Sequence, residues 1–358
     1  MQQVPSALER GLVKEAPTYK SILKEHKRPC TEEQCRAKRL PQVPTLAYVT
    51  PWNSHGYEIA KTFSSKFTYV CPVWYQVRVD RVEKRLFLTG THDVDEGWVM
   101  EVKGVNGTGP AIVPRFLLDG WIVEEYSLLI WDEGFASDFV TLLVRECVKR
   151  NYDGLVLEHN LVTNEKLAPV IITLANQLHE QGKKLILVIP ADKGFREGQH
   201  GLSSSLFAWL GDYVDHFSLM TYDFSSPQRP GPTAPLSWVT QNILQLLPPD
   251  HKNSAQNLAS KILMGVAFYG YDYWSPAKGE AVVASAYLKT LASYKPKMVW
   301  SHAHHEHSFT YNKNGEEHTV YFPTLKSLAD RLELAAEMGV GVAIWEIGQG
   351  LDYFYDLL

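Results

Sequence analysis

The chain has 358 residues, 45% of them hydrophobic and 21% charged, and a formal net charge of −5. That is enough for one large core or two ordinary domains. The slightly acidic balance lacks the basic stripe of a nucleic-acid binder, and no apolar run reaches the length of a bilayer span, so neither nucleic acid nor membrane insertion is expected.

Residues 1–44 are charged, proline-punctuated and aperiodic. They read as an N-terminal extension that packs loosely or wraps the domain, and they hold no apolar stretch of the signal-peptide kind. Cys30 and Cys35 could close a small disulfide loop in an exported protein, at a spacing wrong for a zinc or redox motif. From residue 45 the pattern changes. Eight short apolar runs follow: "LAYVTPW" (46–52), "FTYVCPVW" (67–74), "AIVPRFLL" (111–118), "YDGLVLE" (152–158), "KLILVIPA" (184–191), "HFSLMTYD" (216–223), "ILMGVAFYG" (262–270) and "VGVAIWE" (340–346). Their continuous rather than alternating hydrophobicity predicts strands buried on both faces, hence a parallel sheet covered by helices.

The stretches between them have helical periodicity. "NEKLAPVIITLANQLHEQG" places Leu167, Val170, Ile171, Leu174 and Leu178 along one face and stops at Gly182, while Pro248 and Gly339 end two further helices. Eight strands alternating with helices predict a (β/α)8 TIM barrel over 45–358. Between strand 7 and helix 7, about residues 271–323, two β-rich runs are joined by "NKNG", a hairpin turn signal, so a small β-rich insertion should wall the ligand-bearing top face. Cys71 and Cys147 lie in apolar patterns and read as buried thiols; Asn106, in "NGT", is a glycosylation sequon. The run "HAHHEH" would pair His302 with His304 and His305 with His307 if extended. No cysteine or carboxylate set supports it at ligand spacing, so no metal and no cofactor are expected.

The stretch "YDGLVLEHN" (152–160), as strand 4, puts Val156, Glu158 and Asn160 toward the barrel interior, and Leu155 and Leu157 toward the helices. Other strand ends carry Trp52, Trp74, Trp121, Tyr222, Asp223, Tyr269, Trp345 and Glu346. Aromatic faces stack on pyranose rings while carboxylates bind hydroxyls, so this constellation suits a carbohydrate cleft.

On "DGLVLEHN", "LMTYDF" (219–224), "GVAFYG" (265–270) and "GVAIWE" (341–346), the chain resembles the chitinase-like proteins of glycoside hydrolase family 18 from residue 46 onward. Members that cleave chitin carry D-G-x-D-x-D-x-E on strand 4, the last Glu being the acid of a substrate-assisted mechanism. Here Asp153 keeps the first position, Val156 and Glu158 take the next two, and Asn160 stands at the acid. An amide cannot protonate a leaving oxygen. The resemblance therefore implies no catalytic residue and no enzyme. It implies instead a lectin for chitooligosaccharides or related amino-sugar glycans, used in innate immune glycan sensing. Trp52, Trp74, Trp121, Glu158, Asn160, Met220, Tyr222, Asp223, Tyr269 and Trp345 would bind the glycan. It further implies a secreted or lysosomal glycoprotein and a scavenger-type sorting receptor, stabilin, as protein partner. Two alternatives stay open: an active hydrolase whose acid has moved to Glu158, Asp223 or Glu346, and an interaction scaffold with a vestigial cleft.

Overall fold

The computed structural model describes residues 3–104, 106–194, 201–248, 257–275 and 277–358. All eight predicted strands are present, and they form the ring of staves that the apolar runs require. β1 (Thr45–Val49) pairs in parallel with β2 (Tyr69–Pro72); after Val73 and Trp74 that stave resumes as β3 (Tyr75–Asp80) and doubles back as β4 (Arg85–Thr89). The third stave is split at Val113 and Pro114 into β5 (Ala111–Ile112), paired with β2, and β6 (Arg115–Leu118), paired with β3 and with β7 (Gly154–Glu158). Next come β8 (Lys184–Pro190), β9 (His216–Met220) and β10 (Ile262–Ala267), each parallel to its neighbour.

After β10 the chain leaves the ring for an antiparallel sheet of five strands: β11 (Gly270–Trp274), β12 (Lys278–Val282), β13 (Val299–Ser301), β14 (Glu306–Lys313) and β15 (Glu316–Tyr321). The "NKNG" signal is its β14–β15 turn, with Asn314 and Gly315 both at positive φ, the backbone a two-residue hairpin turn demands. The sheet begins at Gly270, immediately beyond the seventh stave, with a hairpin that "YDYWSPAKGEAV" did not announce. β16 (Gly341–Trp345) then lies between β10 and β1 and closes the ring.

The helices that lie wholly within the described residues are α1 (Tyr19–Glu25), α2 (Ser54–Thr62), α3 (Glu96–Lys103), α4 (Val123–Trp131), α5 (Glu133–Lys149), α6 (Ala168–Glu180), α7 (Ser204–Gly211), α8 (Leu236–Leu246), α9 (Ala284–Tyr294) and α10 (Leu325–Met338). On α6, Leu167 at the start and Ile171, Leu174 and Leu178 within are buried as the periodicity requires; Gly182 beyond it and Gly339 beyond α10 sit at positive φ. Buried side chains divide into two sets. Leu155 and Leu157 belong to the large core between staves and helices, whereas Val156 belongs to the smaller barrel interior with Leu46, Tyr48, Cys71, Ile186 and Leu263. The period-2 assignment of strand 4 thus holds through Glu158, where β7 ends.

Of the two arrangements open to the N-terminal arm, the structure has the one packed on the domain. It is docked rather than loose: Ala7 and Ile22 are buried, and the Asp356 carboxylate accepts the backbone N–H groups of both Ala7 (2.7 Å) and Cys30 (2.8 Å). Cys30 and Cys35 are joined in a disulfide, and Cys71 and Cys147 are free and buried. Among the described residues no helix is long and apolar enough to cross a membrane.

Candidate active site

The site is built where β7, β8 and β9 end. Gly154 is needed at the root of strand 4, because a Cβ there would meet the Lys184 carbonyl oxygen of β8 at 2.3 Å. Asp153, just before it, is a structural clip. Its Oδ2 accepts the Ile112 N–H at 2.7 Å and pairs with Lys103 Nζ at 2.8 Å, tying the split third stave to the fourth. Above these, a cleft of about 450 Å³ is lined by Glu158, His159, Asn160, Lys193, Met220, Tyr222 and Asp223 among others. Five of the sequence-predicted site residues are thus brought together: Glu158, Asn160, Met220, Tyr222 and Asp223.

Glu158 does not stand alone. Its Oε2 pairs with Arg115 Nη1 at 2.9 Å, and the Arg115 guanidinium carbon lies 5.8 Å from the centre of the Trp345 ring. Trp345 leans on Tyr48, ring centres 5.1 Å apart, and Tyr48 donates its hydroxyl hydrogen to Ser218 at 2.8 Å. Arg115 was not singled out in the sequence. The available signal was a lone cation inside "AIVPRFLL", which faces Val156 across the β6–β7 register. On the β9 side, Asp223 accepts the Tyr269 hydroxyl at 2.5 Å, and burial together with the Asp223 charge pushes the Tyr271 hydroxyl up to about 12. Burial, reinforced by the charges of Glu158 and Asp223, holds the Tyr222 hydroxyl well above its ordinary value. A phenol so placed keeps its proton and can donate it to a carbonyl or hydroxyl oxygen of a ligand.

Asn160 lies past the end of β7, exposed, with its backbone N–H donated to Tyr126 Oη at 3.2 Å. Its neighbour His159 is 7% exposed, and both of its ring nitrogens are buried without a hydrogen-bond partner. Burial pushes this imidazole down to about 4.

Other predicted residues lie elsewhere. Trp74 and Trp121 are corrections: both are core residues. The Trp74 indole donates to Tyr57 Oη at 2.7 Å and packs on Trp98, and that of Trp121 donates to the Val77 carbonyl at 2.8 Å amid Tyr126, Phe135 and Phe139. Trp52, past β1, is 68% exposed. Glu346 is fully buried; it accepts from the Asn53 amide and the Gly348 N–H and holds the last turn of the barrel. Burial raises its pKa. Asn106 is exposed in the turn after α3.

His302 to His305 form the tight connection from β13 to β14 while Glu306 and His307 already belong to β14, so the alternation of a fully extended run does not form. His304 contacts Ser301 (3.0 Å), His305 contacts Asp330 (2.6 Å), and His307 bridges Thr324 (2.8 Å) and the Glu15 carbonyl of the arm (2.9 Å). Among the described residues no group of three or more His, Cys, Asp or Glu is placed to hold a metal ion. The insertion is fixed to the barrel by Glu306, which accepts the N–H groups of Thr233 and Ala234 and pairs with Arg331 at 3.0 Å.

The profile described as Glycosyl hydrolases family 18 matches residues 115–350, well over half of the chain. The chain belongs to this family. Among curated proteins it is similar to an uncharacterized glycosylase, YvbX, of Bacillus subtilis (24% identical over 227 residues, 61% of this chain and 63% of that one). A cortical fragment-lytic enzyme of Bacillus anthracis is 28% identical over 149 residues, 38% of this chain and 32% of that one. The chain spans about half the length of the curated relatives it matches. Its fold is that of a chitinase from Chromobacterium violaceum (TM-score 0.74, 22% identity, covering 88% of this chain and 98% of that one). A Cycas revoluta chitinase solved in complex with (GlcNAc)3 is also similar (TM-score 0.71, 15% identity, 87% and 97%).

These relatives overturn the expectation of a non-enzyme. They are named as glycosylases, lytic enzymes and chitinases, which point to enzymatic members of the family. The physical reason lies in the cleft. Replacing one acid by Asn160 closes one route for a proton, yet two further carboxyl groups, Glu158 and Asp223, line the same space.

Proposed function

We propose that the chain recognises oligosaccharides of the N-acetylglucosamine type, in the manner of a lectin, in the cleft above β7, β8 and β9. We further propose that it processes them through Glu158 and Asp223. The observation that carries this reading is the cleft itself: an open space of about 450 Å³ at the C-terminal ends of barrel staves, lined by two carboxyl groups and a tyrosine. Trp345 supplies an apolar face nearby for the sugar ring, and Tyr222 a hydrogen-bond donor for an acetamido oxygen. Glu158, held by Arg115, presents negative charge to the cation that develops at the sugar as its bond breaks. Asp223 is then the carboxyl group left to move a proton.

Release of chromophore from an N-acetylglucosamine disaccharide substrate between pH 4 and 7 tests the reaction. Turnover should fall at least about a hundredfold in Asp223→Asn and in Glu158→Gln. Turnover unchanged in both would remove these residues from the chemistry.

The setting follows from the same reading. An exported or lysosomal protein would keep the Cys30–Cys35 disulfide, and the exposed Asn106 would take a glycan. A lower apparent mass after glycosidase treatment, absent in Asn106→Gln, checks this. We propose, on the strand-end motifs, that the chain shares the partner class of the stabilin-interacting chitinase-like protein. A stabilin-class receptor would meet the arm or the insertion sheet, and a receptor ectodomain that captures neither the wild type nor its arm-deleted form rules that partner out.

A further inference from the structure

Among the described residues, His159 is the one cleft-lining side chain whose polar atoms are both buried and idle. It sits between Glu158 and Asn160, lines the 450 Å³ cleft, and is 7% exposed. Neither Nδ1 nor Nε2 has a hydrogen-bond partner among the described residues, and the Tyr126 ring lies 6.2 Å away centre to centre. Burial holds the imidazole neutral at pH 5–7, with one N–H donor and one bare nitrogen acceptor. A buried donor and acceptor left unmade are costly to the empty protein. If His159 served only packing, an apolar ring would serve better.

We propose that His159 is a ligand-recognition residue of the cleft, whose ring, with both nitrogens sealed from solvent in the empty protein, turns toward the bound glycan and is completed by a donor–acceptor pair on it. The chemistry that fits is a sugar hydroxyl, which both gives and accepts a hydrogen bond, together with a second hydroxyl or an acetamido oxygen. Loss of one polar partner then leaves the site half satisfied, so the residue selects for an intact hydroxyl pattern at that subsite. Because Tyr126 packs beside His159 and accepts the Asn160 N–H, α4 sets where the imidazole stands. The inference rests on the proposed glycan site and names one determinant of its specificity.

The test pairs two readouts that a structural role would move together and a recognition role moves apart. In His159→Phe the melting temperature should rise, since two unsatisfied nitrogens are removed, while affinity for a linear trimer of N-acetylglucosamine falls about tenfold or more. His159→Gln, which keeps a donor and an acceptor, should recover part of that affinity. In the wild-type protein labelled at histidine nitrogen, the His159 ring resonances should shift on addition of the trimer. Unchanged affinity in His159→Phe with unmoved ring resonances overturns the proposal, and so does a fall in affinity and melting temperature together. Failure of the wild type to bind the trimer at all would instead count against the glycan site.

Discussion

Asn160 decides how the strand-4 motif is read, because it is the residue type and not its position that departs from a family acid. Its side chain is exposed at the cleft, so a longer carboxylic acid can be placed there without disturbing the core. Asn160→Glu is expected to raise hydrolysis of an N-acetylglucosamine disaccharide about tenfold to a hundredfold over the wild type, measured as kcat, with melting temperature unchanged within a few degrees. No gain in kcat would mean that a glycosidic oxygen does not reach this point of the cleft. How much of the site was legible follows the same division. Val156 and Glu158 were assigned the right face because alternation is rigid inside a strand. His159 was missed because β7 ends at Glu158 and alternation stops with it. Trp74 and Trp121 were misassigned because a tryptophan at a strand end looks alike in sequence whether it faces helices or ligand. Arg115 passed as an isolated charge because the pair it forms with Glu158 spans 43 residues.

The staves themselves were legible because burial on both faces leaves an unbroken apolar run, which needs no knowledge of partners. The β11–β12 hairpin was not, since Pro276 and Gly279 in "WSPAKGE" read as loop and its pairing with β15 comes from residues far along the chain. The elements also fix the cleft through close approach. At Gly265 on β10 a Cβ would meet the Leu219 carbonyl oxygen at 2.5 Å, the Thr221 nitrogen at 2.8 Å and the Tyr222 ring at 2.9 Å. Gly265→Ala must therefore push the end of β9 and displace Tyr222. Destabilisation of about 2–4 kcal/mol in denaturant unfolding is expected, with loss of oligosaccharide affinity, because overpacking against backbone cannot relax. A variant as stable as the wild type with Tyr222 unmoved would contradict this packing.

At the scale of the molecule, the arm and the C-terminus are mutually fastened through Asp356, which explains why residues 1–44 looked structureless when read without their distant partner. Stability as a whole should depend on pH through imidazoles that burial pushes down, His159 and His216 furthest, with His26 and His307 shifted the same way. Burial pushes His159 and His216 each down to about 4; Tyr69 bonds His216 at 3.1 Å, and Asp215, Lys184 and Lys261 act on it. Each folded value lies below that of a free imidazole, so folding favours the neutral ring. The contribution is complete above about pH 6.5 and is lost as pH falls toward 4, on the order of 2–3 kcal/mol per histidine. Glu346 and Asp356, raised by burial, act with the opposite sign: they stabilise below the free carboxyl range and lose that contribution as pH rises. Melting temperature should therefore decline from pH 6.5 to 4.5, and His159→Phe should flatten part of the decline. A flat profile in the wild type would mean that the imidazoles are accessible to water.

The most direct test of the glycan site is a calorimetric titration of the intact protein with N-acetylglucosamine oligomers of three to six units, run beside Trp345→Ala. The account predicts saturable binding with one site per chain, tighter for the longer oligomers, and weakened at least about tenfold when the Trp345 face is removed. Absence of binding at millimolar oligomer, or equal binding by the wild type and Trp345→Ala, would contradict it.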